Sequence, residues 1–283
     1  MSARTKSVKA GWCALLVGCI LAVPGLTETA RTEVSMPETR SLSEAEISGV
    51  RLQIERIDSH FRAAGIADLY KEKGIPVSEY LVQVVQDSEE PRAFRNSALF
   101  WLGLTKDDSA IPVLFSMIDA PLPDPISDGE LNTIRCAILA LGFNGSPRAL
   151  ERVFGMMTPA YWSARGGVPE CPEKGDSREK SESWLRDAAV SALAESGSEE
   201  AIQAFATGER IPKDKLEAAD LYLSEAIFIN CGIHTMPDSL DKLEPEARKR
   251  YEATRAEVIS KYGSMDEIRA RIKSIAESGS KTE

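Results

Sequence analysis

The chain has 283 residues, with 34 basic and 44 acidic side chains, a formal net charge of −10 and 43% hydrophobic residues. That composition is ordinary for a globular protein and excludes a wholly disordered or collagen-like chain. No apolar stretch is long enough for a multi-span membrane protein, and the length corresponds to about 1.5 to 2 typical domains.

Arg4, Lys6 and Lys9 precede a nearly continuous apolar or small run from Gly11 to Gly25, and polar sequence begins at Thr27. This is the layout of a secretory signal peptide over residues 1–25, with Gly25 and Val23 suited to a cleavage point. Its removal takes away three bases and no acid, which changes the charge from −10 to −13. A second reading competes. Leu16-Val17-Gly18-Cys19 resembles a bacterial lipobox, in which Cys19 becomes the lipidated first residue, although the apolar run continues to Val23. An uncleaved anchor is the third reading, and in each of the three the folded part is expected outside the cytoplasm, periplasmic, envelope-bound or secreted. Residues 26–42 are then expected to be a disordered linker.

Helical periodicity begins near Gly49. Residues 49–64 carry Val50, Leu52, Ile54, Ile57 and Phe61, and residues 77–86 carry Tyr80, Leu81, Val84 and Val85, which predicts a helix pair. The next feature is a repeat. Ala98-Leu99-Phe100-Trp101-Leu102-Gly103 lies over Ala137-Ile138-Leu139-Ala140-Leu141-Gly142 at a shift of 39 residues. At the same shift Ile111, Leu114, Phe115 and Ile118 fall on Leu150, Val153, Phe154 and Met157, one helix face in each case. A third copy, Ala189 to Ala194, follows at a shift of 52. The 13 extra residues are assigned to a Gly/Pro/Ser-rich loop insertion over 159–183.

Each copy therefore reads as helix, turn, helix. Gly103 and Gly142 either close the first helix or let a neighbour approach closely. The turns Lys106–Ser109, Asn144–Pro147 and Ser196–Ser198 carry caps for the second helix. A single pair cannot bury its apolar stripe, whereas stacked pairs can. Asp119 to Gly129, with three prolines, is expected to be an exposed linker. Leu216 to Asn230 opens a further pair. Pro245 to Tyr262 and Ser264 to Glu277 are charged helices, the last with Ser264 and Glu267 as a capping box and a capping role over 263–283. Residues 278–283 read as a disordered tail.

The repeat resembles the HEAT-repeat family, in particular the HEAT-like branch first described in bilin lyases. That branch favours an Arg eight residues before the Gly of a Leu-Gly pair. Arg95 precedes Gly103 by eight and Arg186 precedes Ala194 by eight, whereas Ile134 holds the place in the middle copy and Arg135 is displaced by one. The resemblance covers residues 91–208. It implies an all-α fold, an α-solenoid of four to five stacked antiparallel helix pairs over residues 43–262, and says little about function. Bilin-lyase activity does not follow from it, since the repeat occurs far beyond those enzymes.

Signals for chemistry are sparse. His60 and His234 are the two histidines, and Cys231-Gly-Ile-His234 has no second pair to complete a metal site. No His-Glu dipeptide, phosphate loop, Gly-x-Gly-x-x-Gly or Gly-x-Ser-x-Gly is present. No metal, cofactor or catalytic constellation is expected. Nucleic-acid binding is not expected either, given the negative charge and the absence of a basic stripe along Pro112, Glu151 and Gln203 or Ser116, Gly155 and Thr207. The Arg248-Lys249-Arg250 run, flanked by Glu246 and Glu252, reads as an ion-paired helix face.

Three cysteines lie beyond the export segment. Cys136 falls in an apolar helical pattern, and a Cys171–Cys231 bridge is open as an expectation. Tyr161 and Trp162 open the insertion and Trp184 follows it; these rings either anchor a protein partner or fold back over the stack. The first functional expectation is a non-enzymatic protein interaction scaffold. The alternative is an enzyme or accessory subunit with a pocket between insertion and stack, using Glu170, Asp176 and His234.

Overall fold

Ala- and Leu-rich segments with i, i+3, i+4 apolar spacing favour helices that pack through small side chains, and helices are what the chain forms. The computed structural model describes residues 41–55, 67, 70–233 and 240–278, all within one compact unit running from Thr39 to Glu283. Among the described residues no strand forms, and the all-α expectation holds. The signal segment, Cys19, His60, His234 and most of both expected tails lie outside the described residues, whose helices include none long and apolar enough to cross a membrane.

The helices are α1 (Glu44–Glu55), α2 (Val77–Gln86), α3 (Arg92–Leu104), α4 (Ile111–Asp119), α5 (Asp128–Asn144), α6 (Pro147–Met156), α7 (Pro159–Ser163), α8 (Arg178–Glu195), α9 (Glu199–Thr207), α10 (Ala219–Asn230), α11 (Pro245–Tyr262) and α12 (Met265–Ser278). α1 starts earlier than the apolar spacing indicated, because Ser43 and Glu46 form a reciprocal cap. The turns between paired helices carry their expected caps. Asp107 accepts from the Ser109 amide at 2.9 Å, Ser146 from Ala149 at 3.4 Å and Ser198 from Ala201 at 3.1 Å. A capping box at Ser127 and Glu130, not anticipated, opens α5.

The aligned repeat positions share one environment. Ala98, Ala137 and Ala189 are each fully buried, as are Leu102, Leu141 and Leu193. α3 packs on α5, α5 on α8, and α8 on α10. The glycines explain how closely. A Cβ on Gly103 would lie 2.7 Å from the Ala140 Cα, and one on Gly142 would lie 2.7 Å from the Ala192 Cα, both backbone atoms that cannot move independently. Of the two roles open for these glycines, close approach is the one they play. Gly145, at φ 67°, is the residue that closes α5. The second helices fill in behind: α4 packs on α5, α6 on α5 and α8, and α9 on α10 and α8. Their buried faces are Ile111, Leu114 and Ile118 on α4, then Leu150, Val153 and Phe154 on α6 with Met157 just beyond it. Phe115 departs from its counterpart Phe154 by being only half-buried. Asparagines tie successive units together. Asn144 Nδ2 donates to the Asp107 carbonyl at 3.3 Å and Asn230 Nδ2 to the Gly197 carbonyl at 2.8 Å.

Several boundaries differ from expectation. The insertion is shorter and more ordered than a loop over 159–183: it contains α7 and a turn closed by backbone bonds between Cys171 and Asp176, and α8 already begins at Arg178, capped by Ser177. The polar Arg-Glu-Lys-Ser-Glu-Ser start of α8 hides its helical character from a hydrophobic pattern. The proline-rich stretch before α5 is anchored rather than free. Ile126 is buried, its amide donates to the Glu170 carbonyl at 3.0 Å, and the Asp128 amide donates to Glu173 at 3.0 Å. Residues Lys213–Ala218, expected partly within the α10 helix, form 3₁₀ turns instead.

The Cys171–Cys231 bridge is not formed. Cys136, Cys171 and Cys231 are three free, buried thiols held by different elements. Cys171 pairs with the Asp176 backbone in the insertion, whereas Cys231 closes α10 and its carbonyl accepts from Arg250. α11 and α12 bury only narrow stripes, Tyr251 and Val258, then Ile268 and Ile272. The Ser264/Glu267 box is present, with the Ser264 amide 2.7 Å from the Glu267 carboxylate.

A pair of carboxyls lies between α8 and α10. Glu195 and Glu225 are both half-buried and share a side-chain hydrogen bond. Burial first, and then the neighbouring Glu225, pushes the Glu195 carboxyl up to about 8; burial also raises Glu225. Two carboxyls so placed hold a proton between them. The folded state keeps that proton where the unfolded chain, with ordinary glutamates, has lost it. The stabilisation is complete below the ordinary value of 4.5 and declines as pH rises through about 8. Urea denaturation is expected to show stability falling by about 2 kcal/mol between about pH 6 and 8. Glu195→Gln is expected to flatten that dependence. A Glu195→Gln profile parallel to that of the parent chain would remove the shared proton from consideration.

Candidate interaction site

Side chains of α4 and α6 meet where Arg148 and Arg152 lie over the Phe115 ring, and α7 packs on α6. Thr158 Oγ1 accepts the Tyr161 amide at 3.3 Å, which fixes the first turn of α7. α7 then projects Trp162 inward and Tyr161 along the surface. Trp162 is 1% exposed and its indole N–H donates to the Met156 carbonyl at 2.9 Å. It seals the end of α6 and is not available to a partner, which corrects its expected place among the anchors. Trp184 sits on α8, half-buried, with the Lys174 ammonium 4.0 Å above its ring and the Arg135 guanidinium at 5.4 Å. Those cations cover it.

Tyr161 is half-buried and likewise overlain by cations, Arg165 and Arg152. Its ring packs edge-on against Trp162 at 5.1 Å and lies beside Gly155, where a side chain would meet it at 3.4 Å. Phe115 of α4, Arg148, Glu151, Arg152 and Gly155 of α6, and Tyr161 of α7 together line an open groove of about 490 Å³.

Arginines dominate the rim. Arg152 lies 4.6 Å from the Phe115 ring centroid and 5.6 Å from that of Tyr161; Arg165 lies 4.0 Å over Tyr161 and Arg148 5.5 Å over Phe115. Such cation–π contacts hold the guanidinium face against the ring and leave the in-plane N–H donors for other partners. Arg152 and Arg165 both pair with Asp119 at the end of α4. Glu151 is engaged by Arg210, which also pairs with Glu200 and lies 3.6 Å over the buried Phe154 ring. Burial pushes the Tyr161 phenol above its ordinary range, opposed by the nearby Arg152 and Arg165.

Sequence reasoning found Tyr161 but not the arginines around it. Arg148 and Arg152 are i, i+4 on α6, a visible spacing, but Asp119 comes from the end of α4 and Arg165 from the fold of the insertion. Residues proposed for the alternative pocket have other uses. Glu170 is exposed and contributes its backbone carbonyl to the Ile126 contact; Asp176 is buried and pairs with Lys180. Arg248 pairs with Glu252 and Asp241, as expected for an ion-paired face. In comparisons with known proteins, no family model matches the chain and no curated protein matches it.

Proposed function

We propose that the chain is an exported, non-enzymatic protein interaction scaffold built as a HEAT-like α-solenoid. The repeat supports the architecture: three copies of one apolar pattern, joined helix to helix through Gly103 and Gly142, with second helices behind. The observation that supports the interaction role is the open, shallow groove of Phe115 and Tyr161 ringed by arginines. Aromatic and arginine side chains are the ones that dominate binding energy at protein interfaces. The N-terminal pattern of Arg4, Lys6 and Lys9 followed by the apolar run to Gly25 supports export, with Cys19 as an alternative lipid attachment point.

Purified protein lacking residues 1–25 should retain a specific protein partner from a bacterial envelope fraction. Retention of none, together with turnover of a small substrate, would reject the scaffold in favour of an enzyme. Mass spectrometry of the N-terminus of the protein expressed in a bacterial host should show cleavage near Gly25 or a lipid on Cys19; an intact Met1 would remove the cleavage and lipidation readings.

A further inference from the structure

α10, α11 and α12 close the C-terminal end of the described chain and meet the repeat through α8 and α9. Where packed helix units follow one another, a terminal unit can open without the rest, and its interface with the preceding unit sets how often it does. The α8–α10 part of that interface is closely fitted. At Gly197, just past α8, a Cβ would lie 2.7 Å from the Asn230 amide nitrogen, and Asn230 Nδ2 donates to the Gly197 carbonyl at 2.8 Å. The hydroxyls of Ser191 and Tyr222 meet at 3.4 Å, and one turn further along both helices Glu195 meets Glu225. Ionised carboxylates only accept hydrogen bonds, so the bond between these two needs a proton on one of them. Glu195 is also the last residue of α8, where the helix end is itself negative. Among the described residues no basic side chain acts on either carboxyl. Arg135 of α5 lies over Trp184, Arg152 of α6 pairs with Asp119, Lys215 of the 3₁₀ turns pairs with Asp187, and Arg250 of α11 and Arg271 of α12 donate to backbone carbonyls. α9 adds only the exposed acids Glu199 and Glu200.

We infer that the Glu195–Glu225 contact is a proton latch, which holds α10 to α12 on the repeat while the pair keeps a proton and loosens them as a unit when the proton leaves. The inference is independent of the scaffold reading. It goes beyond the pH dependence of overall stability by placing the effect at one junction. Loss of the proton turns a hydrogen bond into two like charges in a half-buried contact with no cation to screen them. Opening of the junction returns both carboxylates to water, so ionisation favours the open form. The sign follows: the latch is closed in acid and weakens as pH rises through about 8.

The test is hydrogen exchange of the full chain, read by mass spectrometry at pH 6 and pH 9 and corrected for intrinsic exchange. Amides of α10 and α11 should open at least about tenfold more often at pH 9 than at pH 6, and at pH 9 at least about tenfold more often than amides of α5. Glu195→Gln and Glu225→Gln should each remove most of the rise, because a glutamine amide donates to the remaining carboxylate without a titrating proton. The inference is overturned if α10 opens no more often than α5 at pH 9, which would leave only a global effect of pH. It is also overturned if the rise persists in both glutamine variants, or if it is lost in His234→Gln, which would assign the titration to that histidine.

Discussion

Gly142→Ala is expected to destabilise the protein by about 3–5 kcal/mol, the upper range for a single substitution. In a free helix the same change would stabilise by about 1 kcal/mol, since alanine is the better helix former. The reversal comes from the neighbour. The added methyl would be forced against the Ala192 carbonyl and stand 2.7 Å from its Cα, so α5 and α8 must separate along their length. Overpacking against backbone is costly because helices shift as units. Gly103→Ala should behave alike, its obstacle being the backbone of Ala140 on α5. Gly155→Ala is the internal control: its new Cβ would meet only the Tyr161 ring at 3.4 Å, and the change should be neutral or stabilise by up to about 1 kcal/mol. Urea denaturation of the three variants checks the order. A loss below about 1 kcal/mol for Gly142→Ala would show that the two helices are not in contact as described.

Arg186→Ala is expected to cost about 2–4 kcal/mol. Arg186 is 7% exposed, a rare burial for arginine. Its Nε donates at 2.8 Å to the carbonyl of Met157, where α6 ends, and its Nη2 reaches Asp214 at 2.7 Å beyond α9. One side chain thus ties α8 to the ends of two neighbouring segments. Truncation strands the Met157 carbonyl and empties the space held by the aliphatic stem. Asp214 is about half exposed and returns to water, so Asp214→Ala should cost no more than about 1 kcal/mol. Lysine cannot bond in both directions, and Arg186→Lys should recover only part of the loss. Equal losses for Asp214→Ala and Arg186→Ala would mean that the ion pair, rather than the carbonyl contact, is what matters.

The sequence carried the repeat because burial in this fold is periodic. Ala98, Ala137 and Ala189 meet the same surroundings, and their spacing survives a 13-residue insertion. Capping residues were legible at Asp107, Ser146, Ser198 and Ser264 because an N-cap is a local interaction. Contacts between distant segments were not. Nothing in residues 159–183 announces that Trp162 turns fully inward while Tyr161 is only half-buried, since adjacent residues of a short helix differ only in which neighbour they meet. The arginine pattern was read in part. Arg186 bridges its neighbours, whereas Arg135, one residue out of register, lies over Trp184 instead. The groove needs Asp119, Arg152 and Arg165 together, and they come from three segments whose meeting is set by tertiary packing alone.

The three thiols are sealed into separate places: Cys136 within α5, Cys171 inside the insertion and Cys231 at the end of α10. Burial pushes the Cys136 thiol up to about 11, so almost none is thiolate at neutral pH. An alkylating reagent must therefore wait for each region to breathe. Cys231, at a helix end, should be modified first and Cys136 last, so that the chain carries its own set of clocks for how readily each stretch of the molecule lets go.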